Sequence, residues 1–174
     1  IPYRIYGGLR FYERLEIKNA IAYLRVIFNN NDNPSFERSI SNPTRGVGEK
    51  TLAKIRHTAK QYNISYIKAS AKLIDEGSIS GRGGSGLRDY LEFIAGCKSF
   101  IEENLLSELM ELIIKESGLY AYHGKEPGEK GKTRTENLEE LITATKNFEQ
   151  SIKEDKSNVE VAENYLDIIS LDSG

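Results

Sequence analysis

At 174 residues, with 39% hydrophobic and 29% charged content, the chain is long enough to bury one core and too apolar for a disordered segment. A single cysteine excludes an internal disulfide and fits a reducing cytoplasm; no apolar run reaches membrane-spanning length and no signal peptide is visible. The net charge of −2 hides an uneven spread, since residues 1–75 hold 13 Lys/Arg and 6 Asp/Glu (+7) while residues 76–174 hold 11 and 20 (−9). A basic half joined to an acidic one gives a molecule one face suited to anions, although chance clustering of solvated charges gives the same sums. The chain starts at Ile1 without an initiator methionine, as a piece of a longer protein would.

In chain order, "IPYRIYGG" is aromatic and β-branched up to a glycine pair, so residues 1–8 read as a short strand or extended lead-in. "ERLEIKNAIAYLRVIF" sets Ile17, Ile21, Leu24 and Phe28 at helical spacing. After "NNNDNP", a short helix runs to about Ile40, with Asn33 or Ser35 as its cap and Pro34 in the first turn. A helix from about Glu49 to Gln61 should bury Leu52, Ile55 and Ala59, with Ala53 also turned inward. "SYIKASAKLIDEG" gives another, closed by Gly77. "GRGGSG" (81–86) reads as a flexible stretch or a glycine-rich helix start.

Two amphipathic helices follow in "LRDYLEFIAGCKSFIEE", where Cys97 reads as a small core residue, and "LLSELMELIIKESG", closed by Gly118. "HGKEPGEKGK" has the composition of a mobile loop. "TRTENLEELITATKNF" places Thr133 and Glu136 at capping-box spacing, and "SNVEVAENYLDIIS" supplies the last helix. There is no internal repeat. The expected fold is one mainly α domain over 1–174, with at most a short strand at the N-terminal end.

"NPTRGVGEKTLAKI" (42–55) carries the most informative chemistry. A dinucleotide fingerprint needs G-x-G-x-x-G between a buried strand and a helix, but Thr51 stands at the third glycine position and a helix precedes. No G-x-x-x-x-G-K-[ST] phosphate loop occurs anywhere, and "GRGGSG" lacks the Lys-Ser/Thr that would make it one. What remains is helix, turn, helix. Gly46 and Gly48 permit a tight turn, Val47 between them can anchor it in the core, and a helix N-terminus then opens. Its outward N–H groups and positive dipole end suit a phosphate oxygen, with Arg45 and Lys50 flanking. Such a contact positions without reading bases. An interhelical turn that simply needs small residues satisfies the same pattern.

The arrangement resembles a helix–hairpin–helix, and the likeness extends further. "YGG-x-x-F-x-E-R-x-E-I-K", "TRG-V-G" and "R-x-E-N-L-E-E-L", in that order, resemble the 2B subdomain of UvrD/Rep/PcrA-type superfamily I DNA helicases, densely over residues 1–56 and 128–141. The resemblance implies a subdomain inserted into a motor domain through hinges, here at 1–8 and 171–174. It also implies rotation between open and closed orientations, contact with duplex DNA ahead of the fork, and regulation of unwinding. By the same resemblance the duplex backbone would be met by Thr44, Arg45, Gly46, Val47, Gly48 and Thr51 of the hairpin, and by Lys18 and Arg25 of the first helix. Those two lie seven residues apart, on one helical face, and a plain solvated face would show the same spacing. Val47 stands where the family often has Ile, which keeps the apolar anchor.

No ATP-binding motif is present, so hydrolysis is not expected of this chain; ATP and Mg²⁺ would belong to the parent's motor domains. His57 and His123 have no Cys or acidic residue at metal-ligand spacing, and Glu102-Glu103 and Glu139-Glu140 read as solvated surface. The expected partners are the double-stranded DNA backbone, the motor domains, and repair or transcription proteins, without a membrane. The alternative is a protein-interaction or autoinhibitory platform built on the acidic half. A free-standing helix–hairpin–helix module is a third reading.

Overall fold

The structure, a computed structural model, describes residues 10–152 and 155–173. A 3-10 turn at Phe11–Glu13 is followed by α1 (Leu15–Phe28), α2 (Asn33–Ser41), α3 (Glu49–Tyr62), α4 (Tyr66–Asp75), α5 (Gly81–Glu103), α6 (Leu106–Glu116), α7 (Leu119–Gly124), α8 (Glu129–Ser151) and α9 (Asn158–Ser173). Among the described residues there is no strand, and the mainly α expectation holds. The strand or extended segment expected at 1–8 lies outside the described residues.

The helix α1 forms the axis of the fold. Its sequence has apolar or small residues nearly all the way round, the pattern of a helix covered on several sides. Ile17, Ala20, Tyr23, Leu24, Val26 and Ile27 are fully buried, and α2, α5, α6, α7 and α8 pack around them. Opposite it, α6 places Leu109, Met110, Ile113 and Ile114 in the same core. The last helix folds back on the first turn. Tyr165 meets Phe148 at a ring distance of 4.9 Å, and its hydroxyl lies 3.0 Å from that of Tyr12. Cys97 is buried as expected, and burial pushes its thiol up to about 12.

Local chemistry changes four of the sequence expectations. Asp32, rather than Asn33 or Ser35, caps α2: its carboxylate accepts from the Ser35 amide at 3.1 Å and the Ser35 hydroxyl at 2.8 Å. Asn33 is used elsewhere, accepting from the Tyr66 amide. Ala53 is exposed, because Leu52 and Ile55 take the inner face of α3. The loop read at 123–132 shrinks to residues 125–128. There α8 already starts at Glu129, so Thr133 sits inside the helix and its capping box with Glu136 does not form. Across this start, one guanidinium nitrogen of Arg134 donates to both carboxylate oxygens of Glu126, at 2.6 and 2.7 Å. Gly77 and Gly118 take left-handed φ values and close α4 and α6 as read.

Candidate nucleic-acid interface

The chain between α2 and α3 is locked from inside. Arg45 turns its guanidinium inward and donates to the carbonyls of Ser39 (3.0 Å) and Ile40 (3.2 Å), satisfying the open end of α2. It also donates to the Tyr23 hydroxyl at 2.7 Å, which in turn donates to the Asn42 carbonyl at 2.8 Å. The cation lies over the Tyr90 ring at 5.2 Å and the Tyr23 ring at 5.8 Å. Burial keeps both phenols above their usual range despite that neighbour, so they remain neutral hydroxyls.

The turn itself then projects outward. Val47 is buried, Thr44, Gly46 and Gly48 are exposed, and Thr51 is half-buried. Gly46 has φ +81°, a conformation that favours glycine, and a β-carbon there would stand 2.9 Å from Cγ of Arg82. Gly48 is different. It is the N-cap of α3 in extended backbone (φ −98°, ψ −173°), with nothing within 4 Å of a β-carbon position.

The residues that flank the hairpin come from "GRGGSG", whose composition fits a flexible stretch or a glycine-rich helix start. It is a helix start, the first turn and a half of the 23-residue α5. Its glycines let two backbones meet: a β-carbon at Gly83 would lie 3.2 Å from the Thr51 hydroxyl, and one at Gly86 only 1.9 Å from the Arg45 carbonyl oxygen. The N-termini of α3 and α5 therefore sit side by side, and neither is capped by a side chain. Each presents the positive end of a helix dipole. Lys50 and Arg82 are exposed beside them, whereas Glu49 is drawn toward Arg56 (2.6 Å), which holds its carboxyl below the usual range.

Lys18 and Arg25 open on another surface. They line a shallow groove of about 300 Å³ with Arg38, over an apolar floor that includes Ile21, Ala22 and Ile169; none of the hairpin residues lines it. On α1, Arg25 is about 200° around the helix from Tyr23, the residue that ties down the hairpin. The seven-residue spacing thus brings Lys18 and Arg25 together but not onto the hairpin.

The chain is 41% identical over 174 residues to DNA helicase II of Escherichia coli (strain K12), which covers 100% of this chain and 24% of that protein. The chain is homologous to a segment of the UvrD/Rep/PcrA-type superfamily I helicases. It is 45% identical over 148 residues to DNA helicase II of Haemophilus influenzae, covering 85% of this chain and 20% of that protein. With the ATP-dependent DNA helicase PcrA of Leuconostoc citreum it shares 32% identity over 172 residues, 98% of this chain and 23% of that protein. Residues 1–82 match the UvrD-like helicase C-terminal domain family. That match spans Lys18, Arg25 and the whole hairpin, and it ends on Arg82 at the start of α5. The chain spans about a quarter of the length of these relatives.

Arg38, Arg82 and the buried His123 were not singled out as site residues by the sequence. Arg82 had a signal, because four glycines in six residues are as suited to a close backbone approach as to a flexible loop.

Proposed function

We propose that this chain is the 2B subdomain of an ATP-dependent UvrD-like DNA helicase, a regulatory element that contacts the duplex backbone during unwinding in repair or replication. One observation carries the reading: two uncapped helix starts adjoin at a glycine hairpin, with Lys50 and Arg82 beside them. Amides of Glu49, Lys50 and Thr51 would donate to phosphate oxygens, with Gly48 leaving the approach open. Arg45 serves this contact from behind, by fixing the turn rather than touching DNA with its side chain. ATP and Mg²⁺ act in the motor domains of the parent, which are this subdomain's first partners; repair or transcription proteins are others. We place the parent in the cytoplasm. Packing of the 3-10 turn against α9 holds the first and last described elements together, as an insertion through paired hinges requires.

The platform alternative has its own observation. The exposed acids Glu108, Glu111 and Glu116, with Lys115 paired to Glu111 at 3.5 Å, line a groove between α5 and α6 with half-buried Phe100 and Leu112. Titration of a labelled duplex separates the two. The DNA reading expects weak, non-specific binding, with Kd on the order of 10⁻⁴ to 10⁻⁶ M at physiological salt. A chain that binds a protein partner and no duplex at any salt concentration would support the platform.

A further inference from the structure

Three cations, Lys18, Arg25 and Arg38, converge on the α1–α2 groove, and no acidic residue among those described lines it. Arg56, Lys72, Lys115, Lys130 and Arg134 each have a carboxylate within 4.0 Å, whereas Lys18, Arg25 and Arg38 have none among the described residues. Arg38 is half-buried, and burial draws its guanidinium below the usual range. Three like charges over an apolar floor repel one another, and an anion seated between them relieves that repulsion.

Arg38 is aimed by a buried chain of hydrogen bonds whose direction is fixed at both ends. A guanidinium can only donate, so Arg38 Nε donates to Oδ1 of Asn19 at 2.9 Å. That orients the Asn19 amide nitrogen toward Nε2 of His123, 3.2 Å away, so this ring nitrogen accepts. His123 Nδ1 must then carry the proton, which it donates to the Glu126 carboxylate at 3.0 Å. Glu126 is held in turn by Arg134. Asn19 is 1% exposed and His123 0% exposed, so neither can exchange these partners for water. The two residues join α1 and α7 and set the angle at which α2 presents Arg38.

We propose that Arg38 is a third phosphate-contacting cation beside Lys18 and Arg25, and that Asn19 and His123 are its positioning residues. The inference rests on the duplex-contact reading above, and it gives the groove a ligand class of its own: one phosphodiester or phosphate group, seated away from the hairpin. Lys18 and Arg25 supply flexible charge, while Arg38 arrives pre-aimed, at less entropic cost on binding.

The test is a salt series of duplex titrations on the 174-residue chain, paired with NMR of the arginine Nε–H signals. Arg38→Gln should weaken duplex binding roughly 8-fold at about 0.1 M salt and reduce the salt slope by about 0.9, the loss of one phosphate contact. His123→Phe should weaken binding in the same sense, and adding it to Arg38→Gln should cost no more than Arg38→Gln alone, because it acts through that side chain. His123→Gln keeps a donor for Glu126 and an acceptor for Asn19, and should restore binding; a residue needed only for folding would not give that pattern. In the wild type, duplex or inorganic phosphate should shift the Arg38 Nε–H signal, and His123→Phe should blunt the shift. If Gly48→Asp abolishes binding while Arg38→Gln leaves affinity and slope unchanged, the groove proposal fails and the hairpin reading stands. If no duplex binds but inorganic phosphate still shifts Arg38, the duplex reading fails and the groove survives as an anion site. If neither ligand moves the signal and no duplex binds, both fail.

Discussion

A β-carbon on Gly86 would stand 1.9 Å from the carbonyl oxygen of Arg45, so the start of α5 and the hairpin fit together only because residue 86 has no side chain. Backbone cannot move aside as a flexible side chain can. Gly86→Ala should therefore destabilise the fold by about 1–3 kcal/mol, the usual penalty of overpacking. Gly96→Ala, in the same helix with nothing within 4 Å of its β-carbon position, should be neutral or stabilise by up to about 1 kcal/mol. Urea unfolding of both variants checks the contrast. Equal effects would mean that helix propensity, and not the contact with Arg45, sets the outcome.

The two hairpin glycines should respond in opposite ways. Gly46 has φ +81° and faces Arg82, so Gly46→Ala should cost roughly 1 kcal/mol or more. Gly48 is an extended N-cap with free space around it, and Asp is a preferred N-cap, so Gly48→Asp should keep or slightly raise the melting temperature. The same change puts a carboxylate where phosphate must approach, and should remove duplex binding from a fully folded protein. Thermal melts and duplex titrations on one preparation measure both halves.

Arg45→Lys keeps the charge but loses the fork that bridges two carbonyls and the Tyr23 hydroxyl. The expected cost is about 2 kcal/mol of stability, with the salt slope of duplex binding unchanged because this guanidinium faces inward. A slope reduced by about 0.9 would instead place the side chain on a phosphate.

Glu126 gives the pH dependence. The hydrogen bond from His123, followed by that from Arg134, holds its folded carboxyl below the usual 4.5. A carboxyl lowered by folding contributes stability that is present above its unfolded value and is lost as pH falls through the folded one. Wild type should thus lose stability below about pH 4.5 more steeply than Glu126→Gln, with the two curves running parallel above about pH 6. Urea midpoints from neutral pH to about pH 3 check it; parallel curves throughout would mean that the interaction adds nothing.

Much of this architecture was legible because it is local. The apolar spacing of Ile17, Ile21 and Leu24, the closing glycines 77 and 118, and the Val47 anchor each depend on neighbours within a few residues. The features misread or left open depend on residues distant in sequence. For residues 81–86 local composition leaves a flexible stretch and a helix start both open, and the close contact with Arg45 and Thr51 goes with the helix start. The Thr133 cap does not form because α8 already starts at Glu129, ahead of which Glu126 accepts from Arg134 eight residues on. Of the candidate site, the hairpin could be read, but the contact that brings the start of α5 against it could not, because nothing local joins residue 46 to residue 82. Arg38 was missed for the same reason, since its partners Asn19 and His123 lie on other helices.

The central claim is that the paired starts of α3 and α5 meet the duplex backbone. Backbone amide shifts of the 174-residue chain, followed by NMR as a short duplex is added at low salt, test it most directly. The expected result is perturbation concentrated at residues 46–51 and 81–84, with a second focus around Lys18, Arg25 and Arg38, and loss of the first focus in Gly48→Asp. Perturbation confined to Phe100–Glu116, or an unperturbed hairpin at saturating duplex, would contradict the claim and leave the glycines as a device for packing two helices.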